Sequence, residues 1–381
     1  MERNFIEKVP RYFEPYVNDC FHNSYGAVLQ YMGLNPNIVL ADYLSFMYDS
    51  ENGNIGVNYF YRYSTTVEFK EEELNTSLEF AYVPATAVFN RESEDTENIR
   101  FPDRVNINMF INDDNDTAYL RLKKLIDSGK PVVAAVDLFH MSYHRAYHRD
   151  HGLHCVVITG YDEKEGCFEL FDKFRLSSSD FEGKLPMAEV NEGRASDNPA
   201  TWSEDMLKRP VRNLWIEICA HKDFRITDKK LINVLDESCK RLKGLKQVLG
   251  KDCGLKSLEA FTRDLLLKKE EELDAGQYNW FRYYLNINFK NIARNRKRFM
   301  AFVGEISSLL PEHIAADICG KLEDASKHWD IAASIALKIG IKKSPELIED
   351  LVKQLCEIHE LESCIASSLE SCLRGKMPVE I

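Results

Sequence analysis

"GLHCVVITGYDEKEGCFELFDKF", Gly152 to Phe174, carries two runs rich in β-branched and aromatic residues, "HCVVITGY" and "CFELFDKF", on either side of the turn-like "DEKEG". Such runs around a short polar connection read as an antiparallel hairpin. With Tyr161 facing Cys167 across the connection Asp162 to Gly166, paired residue numbers sum to 328, which sets His154 opposite Phe174 and diagonal to Asp172. Side chains alternate faces with period two, so His154 and Asp172 project from one face as diagonal neighbours, roughly 7–8 Å apart at the backbone. A one-residue slip would place them on opposite faces. A carboxylate accepting from one ring nitrogen fixes the histidine tautomer and leaves the other nitrogen to take a proton from a nucleophile.

The nucleophile is sought upstream, in "VNDCFHNSYGAVLQYMG", Val17 to Gly33, where Cys20 stands at the mouth of an expected helix. A cysteine at a helix N-terminus meets unsatisfied backbone N–H groups and the positive end of the helix dipole, and both favour a thiolate. The same N–H groups can receive the oxyanion of a tetrahedral intermediate. Asp19 opposes the thiolate unless it points away. Cys20, His154 and Asp172 thus form a nucleophile, base and orienter in chain order, whereas taken singly each reads as a buried core thiol, a core histidine and a strand-end turn residue.

Around the hairpin, "DTAYLRLKKLIDSGK" (Asp116 to Lys130) has helical apolar spacing, with Gly129 at the expected C-terminal cap and Pro131 beyond it. "PVVAAVDL" and "RNLWIEICA" read as further strands, and Thr201 with Glu204 as a capping box. Asn52 to Asn115 reads as short strands and loops. After Ile226 the pattern is helical, broken at Gly250, Gly254, Gly276, Pro311, Gly340 and Pro345, with no fixed repeat period. The expected fold class is therefore α+β, with a catalytic domain over 1–223 and an all-α domain over 224–381.

The 381 residues suffice for two domains, and 44% hydrophobic with 29% charged residues describes a folded globular chain. A net charge of −12 argues against general nucleic-acid binding. No apolar run approaches the roughly 18 residues of a membrane span, and "MERNFIEKVPRYFEPY" has no signal-peptide apolar region, so no membrane association and a cytoplasmic location are expected. The ten cysteines include no C-x-x-C pair, which fits reduced thiols.

Two further clusters carry possible chemistry. In "FHMSYHRAYHRDHGLH", His140, His144 and His148 are four apart and His151 three beyond, a metal-binding stripe if the backbone were one helix. No H-E-x-x-H accompanies it, and the aromatics Phe139, Tyr143 and Tyr147 point instead to a loop or short helix in which His140, Tyr143, His144, His148 and His151 line a substrate cleft, with no metal. In "NFKNIARNRKRF", Lys290, Arg294, Arg296, Lys297 and Arg298 read as a solvated helix face or as a dock for an acidic protein or a phosphate-bearing ligand, with Arg294, Arg296 and Arg298 the residues that would meet an acidic carrier protein.

With "DC", "VDLFHMSYH", the H-x-x-H-x-VVITGYD run and the strand-end Asp172 in place, the chain resembles papain-like enzymes of the bacteriocin-leader-peptidase type and, more closely, the family of butirosin biosynthesis protein H. "GLKSLEAFTRDLL" and "RNRKRFMAFVGEI" are similar to that family's helical part. The resemblance implies a papain-like fold for the N-terminal domain. It implies acyl transfer from an acyl carrier protein or peptidyl carrier protein thioester, through Cys20, to a small amine acceptor in antibiotic biosynthesis. His154 would be the base and Asp172 the orienter. No cofactor is implied beyond the 4′-phosphopantetheine that the carrier brings. Papain-like proteases place a Gln six residues before the nucleophile; here that residue is Glu14, and Asn18 is the substitute oxyanion donor. A peptidase or amidase using the same triad, and a non-catalytic or metal-binding module using the histidine stripe, are the alternatives.

Overall fold

The computed structural model describes residues 2–12, 17, 19–41, 43–51, 53–57, 102, 105–110, 112, 114–173, 180–197, 211–247 and 252–374. The chain divides into two units, one holding the described residues of 2–40 and 102–225, the other those of 41–57 and 226–374. The division after Arg225 falls close to the expected boundary. Residues 41–57, however, belong with the helical unit, although the boundaries 1–223 and 224–381 assign them to the first domain.

The first unit is built on a seven-stranded antiparallel sheet. Its strands are β1 (Arg3–Phe5), β4 (Val105–Phe110), β5 (Val132–Asp137), β6 (Leu153–Asp162), β7 (Cys167–Lys173), β8 (Asp180–Pro186) and β9 (Trp215–Ala220), in the order β4-β9-β5-β6-β7-β8 with β1 paired to β6. Helix α1 (Cys20–Tyr31) covers one face, where Phe21, Tyr25, Val28 and Leu29 pack with Val133, Ala135, Cys155 and Val157. The other face packs Val132, Ala134, Val136, Val156 and Ile158 with Leu122, Leu125 and Ile126 of helix α3 (Asn115–Asp127) and Val190 of α4 (Met187–Ala195). A short helix, α2, spans Pro36–Val39. Coverage on both faces is why "VVAAV" and "CVVI" read as unbroken apolar runs and not as alternation.

Local signals set the helix ends. Asp114 caps α3 by accepting from the Thr117 N–H, and the helix closes at Ser128 with Gly129 at φ +76°, as its sequence leads one to expect. Asp19 caps α1 through the His22 N–H. Strands β1 and β8 and helix α4 had no counterpart in the sequence reading. The capping box at Thr201 and Glu204 lies outside the described residues, as does most of Asn52 to Asn115.

The hairpin register differs at its tip from the one expected. Asp162, not Tyr161, faces Cys167, and Tyr161 faces Phe168, so paired numbers sum to 329 there. Between Ile158 and Gly160 the register shifts, and Ile158 faces Leu170 and Val157 faces Phe171, a sum of 328. Thr159 is the extra residue of a β-bulge. Ile158 and Tyr161, three apart, consequently join the same core beside Leu170 and Phe168. Gly160 follows the bulge where a Cβ would lie 2.3 Å from the Phe5 ring and 2.9 Å from the Asn4 carbonyl oxygen.

The second unit holds a two-stranded sheet, β2 (Met47–Asp49) with β3 (Asn54–Gly56), and helices α5 (Asp228–Leu242), α6 (Leu255–Leu267), α7 (Ala275–Asn279), α8 (Asn286–Glu305), α9 (Glu312–Lys342) and α10 (Leu347–Leu373). A π-helical turn, Trp280–Leu285, joins α7 to α8. Leu44, Ser45, Phe46 and Met47 are buried, with Phe46 stacked on Trp329 at 5.6 Å and beside Phe261. The Gly254 N–H donates to the Phe46 carbonyl and Arg296 Nη1 to the Ser45 carbonyl, so the segment's backbone is hydrogen-bonded inside this unit.

Two expected helix breaks are corrected. Gly340 lies within α9, where a Cβ would come within 2.5 Å of Arg282 Cβ and the Tyr278 carbonyl oxygen; it permits close approach of two chain segments. Gly276 lies within the first turn of α7, whose capping box is Asp274 with Gln277. Pro311 and Pro345 do stand between helices, Gly254 caps α6, and Gly250 is outside the described residues.

Candidate active site

Cys20 is the first residue of α1, and 8% of its surface is exposed. Its neighbour Asp19 does point away: Oδ1 accepts from the His22 backbone N–H and Oδ2 lies 2.9 Å from His22 Nδ1, so the carboxylate is engaged with the helix's own first turn.

His154 and Asp172 meet as the register of 328 requires. Nε2 of His154 lies 2.9 Å from both carboxylate oxygens of Asp172, and both side chains are buried. With Nε2 donating to Asp172, Nδ1 is the nitrogen left for a nucleophile, and Cys20 is within side-chain hydrogen-bonding reach of the ring. Burial disfavours the imidazolium, but the Asp172 carboxylate and the Cys20 sulfur outweigh it and hold the His154 pKa well above the ordinary histidine value. The neighbouring Cys155 lies in the core beneath α1, where burial pushes its thiol well above the usual range.

The histidine-rich stretch is not a helix. A 3₁₀ turn at Leu138–His140 gives way to turns, and His148 takes a left-handed φ of +52°. The stripe is dispersed as a result. His140 Nδ1 lies 3.4 Å from Glu192, His148 is exposed and stacks on Tyr147, and His151 Nδ1 lies 2.6 Å from Asp137. His144 is buried, its ring 6.3 Å from that of His154, and its Nδ1 accepts from the Ala146 N–H. Among the described residues no group of three His, Cys, Asp or Glu side chains is placed to hold a metal ion. Tyr143 donates its hydroxyl to Asp172 Oδ2 at 2.7 Å, which engages it with the histidine–aspartate pair.

Two supports escaped the sequence reading. Asp137, fully buried at the end of β5, accepts from His151, from the Ser196 hydroxyl at 2.7 Å and from the Gly152 and Phe139 N–H groups, which ties the turns to the start of β6 two residues before His154. Burial pushes its carboxyl up, but these donors prevail and lower it. Arg11 donates to the Asp172 carbonyl and pairs with Asp180 and Glu182, holding β7 and β8 together at the site. A strand-final Asp before a loop was the one available signal for the first; a lone Arg offered none for the second.

Asn18 and Glu14, the residues considered for an oxyanion donor, lie outside the described residues. A cavity of about 510 Å³ in the first unit sits at the other end of α1, lined by Val28, Met32, Leu125, Pro131 and Ile216 among others, and its lining includes none of Cys20, His154 and Asp172.

The expected basic dock requires correction. Arg296 is fully buried in the second unit, its Nε 2.7 Å from Glu362 Oε1, and Trp329 Nε1 donates to the same oxygen. It is four residues from Ile292 and three from Phe299, both buried, so helical phase carries it inward. Arg294 and Arg298 are partly exposed, and Arg294 donates to Asn291.

The first unit is thus an α+β domain that brings a cysteine at the first position of a helix together with a carboxylate-bound histidine. Residues 19–173 match the family described as butirosin biosynthesis protein H, N-terminal, so this segment is similar to that family. The match begins one residue before Cys20 and ends one residue after Asp172. No curated protein matches the chain. Among the described residues no helix is long and apolar enough to cross a membrane.

Proposed function

We propose that the chain is a papain-like cysteine acyltransferase of antibiotic biosynthesis, moving an acyl group from a carrier-protein thioester through Cys20 to an amine. The observation that carries this reading is the placement of Cys20, at the first position of α1, within reach of a His154 whose far nitrogen is held by Asp172. The family's description names butirosin biosynthesis, which supports a role in making an antibiotic.

In this reading the reaction starts from a thiolate on Cys20 and an imidazolium on His154. The sulfur attacks the donor carbonyl carbon, the carrier's thiolate leaves, and His154 gives it a proton. One thioester replaces another, so this half is near thermoneutral. A neutral amine then attacks the acyl-cysteine, His154 takes the amine's proton, and Cys20 departs as thiolate, which restores the starting pair. The Cys20 backbone N–H, at the helix mouth, receives the oxyanion in both halves. This chemistry asks for no cofactor held by the chain itself; phosphopantetheine arrives on the carrier. Arg294 and Arg298, without Arg296, form the basic face offered to that acidic partner.

The test is to incubate the protein with an acyl thioester and no amine. An acyl adduct on Cys20, discharged to amide when amine is added and absent in Cys20→Ala, is the expected result. Discharge to water at one rate with or without amine favours a hydrolase, and normal turnover by Cys20→Ala removes the nucleophile.

A further inference from the structure

Asp172 has two donors. His154 Nε2 approaches both of its oxygens, and the Tyr143 hydroxyl donates to one of them at 2.7 Å, shorter than either imidazole distance. The tyrosine is held from three sides. Its ring stacks on Phe181 of β8 at 4.6 Å, and the preceding residue, Ser142, donates both its N–H and its hydroxyl to Glu189 of α4 at 2.8 Å.

We propose that Tyr143 is a positioning residue that loosens the hold of His154 on its proton by taking part of the Asp172 charge into its own hydrogen bond. A carboxylate shared between two donors stabilises each less than one donor would be stabilised alone. Burial, with Asp172 beside it, keeps the Tyr143 hydroxyl protonated far beyond neutral pH, so it donates throughout the working range. Other described groups also face or adjoin His154. Cys20 faces it from α1, with Asp19 turned to His22; His144 lies beside it in the turn segment; Cys155 follows it in β6; Arg11 binds the Asp172 carbonyl and not its carboxylate. Tyr143 is the uncharged donor in this set that acts on the carboxylate itself.

The consequence rests on the acyltransferase reading. There His154 must release a proton to the departing carrier thiol and then accept one from the amine, so an imidazolium bound too tightly slows the first half selectively. The titration itself does not depend on that reading.

The experiment follows the His154 ring by NMR against pH in the full chain carrying Cys20→Ala, which removes coupling to the thiol. Adding Tyr143→Phe should raise the midpoint by about one pH unit, the scale set by a hydrogen bond to a charged group. Phe181→Ala, which frees the ring but keeps the hydroxyl, should raise it by less. With Cys20 restored, Tyr143→Phe should slow acyl-adduct formation more than adduct discharge. Equal midpoints in all three Cys20→Ala proteins, or a fall on removing the hydroxyl, overturn the proposal. If the midpoint rises while thioesters leave no acyl group on Cys20, the acyltransferase reading fails and the role of Tyr143 stands.

Discussion

Asp172→Asn isolates the charge of the orienting residue from its shape. An asparagine at this position keeps an oxygen to accept from His154 Nε2 and gains an amide that can donate to the Tyr143 hydroxyl, so both bonds of the native carboxylate have replacements. The charge is what disappears. His154 and Asp172 are buried, 4% and 1% exposed at their side chains, so bulk water screens their interaction little. With charge centres about 4 Å apart and an effective dielectric near 20, the lost attraction is about 4 kcal/mol, or about three pH units of His154 proton affinity. The variant's imidazole, buried without the Asp172 charge, should be neutral at pH 7, and the proposed thiolate–imidazolium pair should vanish with it. Alkylation of Cys20 by iodoacetamide reads that pair without any assumption about substrate. At pH 7 it should slow by roughly 100-fold or more, and acyl-adduct formation by about 10²–10⁴-fold, the range seen when a triad loses its carboxylate. An unchanged thermal unfolding curve with less than about threefold loss in both assays would refute the reasoning.

The same pair governs pH-dependent stability. Because the His154 pKa is raised on folding, its stabilising contribution is complete below the unfolded value of about 6.5 and fades as pH rises through the folded one; urea titrations should show this alkaline decline in the native chain and not in Asp172→Asn. Glu362→Ala strands the buried Arg296 guanidinium and should destabilise by about 3–5 kcal/mol, whereas Arg296→Met combined with Glu362→Leu should recover most of it. A single variant as stable as the native chain by urea denaturation contradicts this. Phe46→Ala should cost about 3–5 kcal/mol through the cavity left beside Trp329 and Phe261. A loss under about 1 kcal/mol would mean that residues 41–57 merely lie on the helical unit.

The sheet strands and the pairing of His154 with Asp172 were legible because strand period two and helix period 3.6 act over a few residues at a time. The hairpin shows the limit of that legibility. Tyr161 was expected opposite Cys167, and the true tip is one step out of register, yet the bulge at Thr159 restores the expected pairing before the strands reach the site. Nothing in "VITGY" announces an extra residue except Gly160, whose small size is needed by the neighbouring β1 and not by the turn. The inward position of Arg296 is obscured by a run of five cations that hides helical phase, although its spacing from Ile292 and Phe299 is plain in the sequence. The histidine stripe failed for the opposite reason: spacing of four has meaning only on a continuous helix, and buried Asp137 captures His151 and the Gly152 N–H instead. Residues 41–57 carried no mark of their destination, since "LSFMY" suits either core.

The bulge imposes an arithmetic on the evolution of this hairpin. His154 and Asp172 face the same way when the register sum minus both residue numbers is even, so the count of residues in the turn and the presence of the extra residue are bound together by parity. A related chain that straightens the ladder at Thr159 while keeping the same number of residues between histidine and aspartate must change the count of unpaired turn residues by an odd number, or else surrender the histidine–aspartate meeting. An insertion that only lengthens the turn shifts the register sum and the aspartate's number equally and is neutral by this rule; one that leaves the turn count unchanged and slips the pairing by a single residue is not. Sequence comparisons that align the histidine and the aspartate without following the strand pairing and the extra residue between them will therefore admit chains in which the two residues stand back to back across the sheet.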